Sequence, residues 1–124
     1  LKHLPIIAGL LAIGFGIMTL VEGGHTLFGG PEVYAAAGKV VPWVLYFNFA
    51  AGFVYIATGA LSIAKKSYAK PLAIGLAVAN AVVFAALLIH VFAGEPYETR
   101  TVMAMTLRTA FWMVQAFVLR RALS

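Results

Sequence analysis

Four long apolar runs, at 4–28, 40–64, 71–93 and 102–119, restrict this chain more than any other feature. Each is close to the ~20 residues a helix needs to cross ~30 Å of hydrocarbon. None alternates with period 2, and each is about twice the length of a ~9–11-residue spanning strand, so a membrane barrel fits poorly. A backbone in lipid must satisfy its own hydrogen bonds, which leaves helices. The expected fold is an all-α integral membrane protein. Its four transmembrane helices fall near 5–28, 41–64, 71–93 and 100–120. Short second and third connections favour antiparallel neighbours, hence an up-down-up-down bundle forming one domain over 1–124.

Composition supports the bilayer as solvent. Of 124 residues, 63% are hydrophobic and 10% charged, against about 25% charged in soluble domains. The absence of cysteine excludes disulfides, thiolate metal sites and cysteine catalysis. A net charge of +5 would suggest nucleic acid in a soluble protein. Here the basic residues flank the spans, so topology explains them better and no nucleic-acid partner is expected.

Lys2, Lys65, Lys66, Lys70, Arg120 and Arg121 fall at one set of helix ends. Lys39, Arg100 and Arg108 belong to the other half, together with all four acids, Glu22, Glu32, Glu95 and Glu98. The positive-inside rule then puts both termini in the cytoplasm, with a bacterial or archaeal cytoplasmic membrane as the expected location. The first run far exceeds the ~7–15 residues of a signal-peptide core and lacks an A-x-A-like site, so a retained helix is expected.

Small and polar residues give each helix one distinct face. Helix 1 carries Ala8, Ala12 and Gly16, with Gly9 and Gly14 beside them, and helix 3 carries Ala73, Ala77, Ala81 and Ala85. Such stripes let helices approach closely, within the chain or between copies. On helix 2, Asn48, Tyr55 and Ser62 recur every seven residues, as do Thr101, Arg108 and Gln115 on helix 4. Asn80 lies near mid-membrane on helix 3. Gly29-Gly30-Pro31 breaks helix 1, and 32–37 is expected to form a short interfacial helix before Pro42 and the interfacial anchors Trp43 and Tyr46.

Arg108 is the costliest of these residues. A charge ~10–12 Å inside the last helix must face the protein interior or a wet cavity, and usually has a partner. Glu22 and Asn48 fall at ~9 Å depth on helices 1 and 2, with His25 and His90 nearer the outer surface at ~5 Å. The simplest expectation is a buried polar network of Glu22, Asn48, Arg108 and Gln115, with Glu22 as the counter-ion of Arg108.

A sharper expectation concerns the histidines. Helices 1 and 3 are diagonal in an up-down bundle, so His25 and His90 would approach one centre from opposite sides, as in bis-histidine ligation of b-type haem. Gly23 and Gly24 would leave room for the macrocycle, and Arg100 or Arg108 would meet its propionates. A mononuclear metal ion on Glu22, His25 and His90 ranks lower, since Arg108 opposes a cation. Glu22-x-x-His25 has the spacing of a di-metal motif but occurs only once. No catalytic residue is assigned: without aspartate there is no Ser/His/Asp arrangement, and no glycine-rich phosphate loop occurs. Three functions follow as expectations: a haem- or metal-binding component of a membrane electron-transfer assembly, a homo-oligomeric transporter or channel using Glu22, Asn48 and Arg108, and a structural subunit of a larger membrane complex.

Overall fold

A computed structural model describes residues 2–123. The element order is α1 (Leu4–Phe28), α2 (Pro31–Ala36), α3 (Pro42–Ile63), α4 (Ala69–Phe92) and α5 (Thr99–Ala122). Among the described residues, α1, α3, α4 and α5 are long and apolar enough to cross a membrane. The chain is a small polytopic all-α membrane protein whose long helices run up, down, up and down. Sequence neighbours pack side by side, and α5 returns beside α1 to close the bundle. The end bearing α2 is called outer, following the distribution of basic residues.

Proline starts α1, α2 and α3 in their first turns, where its missing N–H leaves no helical bond unmade. The inner end of α3 is less ordinary. Lys65 adopts φ 56°, the Lys66 amide donates to the Leu61 carbonyl and the Lys65 amide to that of Ser62. This is a Schellman stop made with lysine in the left-handed position that glycine normally fills. Gly94, at φ 82°, ends α4 by the same pair of bonds, from Glu95 to His90 and from Gly94 to Val91.

The tightest contact joins α1 to α3. Gly9, Gly16 and Gly23 recur every seven residues: Gly9 faces Gly59 and Gly16 faces Gly52, also seven apart, while Gly23 meets Phe49. A Cβ added to Gly9 would lie 2.5 Å from the Gly59 carbonyl oxygen, and one added to Gly59 2.7 Å from that of Gly9. Backbone therefore meets backbone, and Ser62 adds a 2.6 Å bond to the Pro5 carbonyl. A seven-residue repeat drifts only ~20° around a helix per step, so these glycines hold one face.

The alanine ladder of α4 behaves differently. Ala73 is buried and Ala77 half-buried, but Ala81 and Ala85 are exposed. Four residues turn the helix by ~400°, so an i,i+4 stripe precesses ~40° per step and leaves the interface. Within the chain, the ladder packs closely only at its inner end.

Two apolar cores result. The inner one joins Ala8, Ala12, Ala51, Tyr55, Ala73, Leu76, Trp112 and Leu119. The outer one joins Val41, Val44, Leu87 and Met105, drawn from α3, α4, α5 and the residue preceding α3. Since α1 is absent from the outer core, the outer half of the bundle is unfilled between α1, α3 and α5.

Candidate functional site: a cleft in the outer half

A cleft of about 460 Å³ occupies that wedge. Its α1 wall carries Thr19, Glu22, Gly23 and Thr26, spaced three, four and seven residues apart, and also His25. Leu45 and Asn48 come from α3, and Thr101, Ala104 and Arg108 from α5. Two bonds secure its outer cover: Glu98 Oε2 accepts from the Lys39 amide at 3.0 Å, and Arg100 donates to the Ala37 carbonyl at 3.1 Å. Gly38, at φ 87°, fits beneath Glu98, where a Cβ would lie 2.8 Å from the carboxylate oxygen. The segment between α2 and α3 is thereby strapped to the start of α5.

Arg108 forms the floor. It is 7% exposed, and its Nη1 donates to Thr19 Oγ1 at 2.6 Å. The guanidinium carbon lies 5.3 Å from the Phe15 ring centroid, a cation–π contact that partly offsets burial of the charge. Nε, in contrast, is buried without a hydrogen-bond partner, as is Asn48 Oδ1. Leaving such a group unpaired typically costs ~1–3 kcal/mol, more when charged.

Beneath Arg108 the bundle is closed by aromatic rings. Phe15 meets Phe111 edge-on at 4.6 Å, Phe111 meets Trp112 at 5.3 Å, Trp112 meets Tyr55 at 4.9 Å and Tyr55 meets Phe15 at 5.8 Å. This closed circuit spans α1, α3 and α5. Below it, Tyr55 donates to Asn80 Oδ1, Asn80 to the Leu76 carbonyl, and Gln115 to the Ala8 carbonyl. None of these rings lines the cleft above them.

The structure matches none of the family models, curated proteins or solved structures compared with it. Geometry alone therefore speaks for the site.

Five of the seven candidate site residues read from the sequence line the cleft: Glu22, His25, Asn48, Arg100 and Arg108. Their expected connections differ. Arg108 bonds Thr19 rather than Glu22, whose carboxylate has no hydrogen bond or ion pair among the described residues. Gln115 lies two turns deeper and serves α1, so the four-residue network is not continuous. His90 is not in the cleft lining: its Nε2 lies 2.9 Å from the Pro96 carbonyl oxygen, which accepts its proton, and its ring stands edge-on to Trp43 at 5.9 Å.

The bis-histidine haem arrangement does not match this geometry. Phe49 fills the face that Gly23 and Gly24 were expected to leave open, 3.1 Å and 3.5 Å from where their Cβ atoms would be. Nor do three His, Asp or Glu side chains group to hold a metal ion among the described residues, so the set Glu22, His25 and His90 is not assembled. Sequence reasoning missed Thr19 and the strap from Ala37 to Lys39. Thr19 was within reach: it lies three residues beyond Gly16 and four before Gly23, on the same buried face of α1.

Proposed function

We propose that the chain is a ligand-binding membrane protein whose outer-half cleft holds the anionic group of a small ligand on Arg108. One observation carries this: a buried arginine with an unpartnered Nε forms the floor of a cavity instead of meeting a carboxylate. An intramembrane cation placed beside a cavity is a functional-site feature, and the guanidinium fork suits carboxylate or phosphate oxygens. The aromatic circuit beneath it favours binding over a continuous transport pathway in one chain. His25 and His90 lie in different settings, which gives electron transfer through haem no support from the geometry.

Isothermal titration of the purified protein in dodecyl maltoside with dodecyl phosphate tests the proposal. Saturable binding is expected, weakened about tenfold or more in Arg108→Gln, as loss of a charge-assisted bond implies. Arg108→Lys should retain part of it. Equal affinity in the wild type and a folded Arg108→Gln variant would overturn the proposal.

A second reading rests on the Thr19 bond itself: Arg108 locks α5 to α1 in a structural subunit of a larger membrane assembly. In that case Arg108→Gln lowers the melting temperature while anion binding is absent throughout.

A further inference from the structure

Two opposite charges face the cleft without pairing with each other. Glu98 and Arg100 are engaged by the backbone of the strap. That leaves Arg108, with its free Nε, and Glu22, whose carboxylate has no hydrogen-bond or ion-pair partner among the described residues. Both belong to one wall and floor, since Thr19, the residue Arg108 bonds, precedes Glu22 by three positions on the cleft face of α1. Glu22 therefore stands about one turn, ~4.5 Å, nearer the outer surface than Thr19.

Access follows from what is covered. The strap crosses the outer side of the cleft, and Val41, Val44 and Gly23 are buried in its walls. Glu22 and His25 on α1 and Arg100 at the start of α5 are exposed lining residues. They come from α1 and α5, whose junction is packed far less closely than that of α1 with α3. That loosely packed junction is the lateral side on which a tail could stay in the outer leaflet.

Resting on the anion-binding reading above, we propose that the ligand is a zwitterionic amphiphile of the phosphoethanolamine type, taken laterally from the outer leaflet. Arg108 holds the phosphate and Glu22 the ammonium. The vertical order matches a lipid of that leaflet, whose amine lies outermost, then the phosphate, then the tails. A purely anionic headgroup would leave the Glu22 carboxylate unpaired and repelled, so discrimination comes from Glu22 and anchoring from Arg108.

The test titrates the protein in dodecyl maltoside with three probes: dihexanoyl phosphatidylethanolamine, dihexanoyl phosphatidylglycerol, and O-phosphoethanolamine without tails. The ethanolamine lipid is expected to bind about tenfold or more tightly than the glycerol lipid, as one charge-assisted contact implies. It should also outbind the tail-less headgroup by a similar factor. Glu22→Gln should collapse the lipid preference while leaving glycerol-lipid affinity intact or improved, and Arg108→Gln should weaken both lipids. Equal binding of the two lipids, or a preference unchanged in Glu22→Gln, overturns the zwitterion assignment but leaves anion binding standing. Equal binding of the tail-less headgroup overturns the membrane source. If no probe binds, or if folded Arg108→Gln binds normally, the anion site itself fails and this inference with it.

Discussion

Arg108 donates a 2.6 Å hydrogen bond to Thr19, across the loosest junction between neighbouring long helices in the bundle. The bond joins α5 to α1 where the cleft has removed apolar packing. A threonine hydroxyl neutralises none of the arginine's charge, so the guanidinium remains electrostatically unsatisfied while geometrically fixed. That combination makes Arg108 at once a tie between helices and a cation waiting for an anion.

Thr19→Val removes the hydroxyl at almost constant volume and leaves a buried charged donor with no partner. A loss of ~1–3 kcal/mol is expected, read as a lower melting temperature in detergent. Thr19→Ser should restore most of it. An unchanged melt in Thr19→Val would show that water replaces the hydroxyl at no cost.

Gly59→Ala places a methyl 2.7 Å from the Gly9 carbonyl and against Ile13, whereas Gly14→Ala meets nothing within 4 Å. The first should force α1 and α3 apart at a cost of ~1–3 kcal/mol, typical of overpacking. The second should be neutral or slightly stabilising, alanine having the higher helix propensity. Melting curves of the two variants, compared directly, provide the check.

Lys65 and Gly94 end their helices in the same left-handed conformation with different residues. Lys65→Gly should stabilise the protein and Gly94→Ala destabilise it, each by about 1 kcal/mol, the cost of a Cβ in that region. Opposite shifts in melting temperature are the expected signature. Equal signs would mean that the turn, not the cap, sets stability there.

Orientation can be tested with single cysteines, since the chain has none. With both termini cytoplasmic, Lys39→Cys should react in intact cells with a membrane-impermeant maleimide, and Lys66→Cys only after permeabilisation. The reverse pattern would invert the topology and make the cleft face the cytoplasm.

Much of the architecture was readable because the bilayer imposes it locally. The expected helices agree with α1, α3, α4 and α5 to within two residues at each end, since span length, flanking prolines and charge set those limits residue by residue. The seven-residue repeats were equally legible as faces: Tyr55 and Ser62 on α3, and Arg108 and Gln115 on α5, all point inward. Sequence also isolated Arg108, Asn48, Glu22, His25 and His90 as one layer, and the cleft gathers all of these but His90.

Who meets whom was another matter. Depth along a helix follows from counting residues, but pairing depends on helix rotation and separation, which arise only when helices pack against one another. The glycine contacts of α1 with α3 set that rotation and bring Thr19, not Glu22, to Arg108. They also seat Phe49 against Gly23 and Gly24, where space for a macrocycle was expected. His90 turned to the Pro96 carbonyl because the outer turn of α4 lies within its reach. From sequence came the membrane bundle, its helix limits and a polar layer in its outer half. Only the tertiary structure decided that this layer is an open-sided cleft with an unpaired arginine at its floor, because packing, unlike hydropathy, is a property of surfaces in contact.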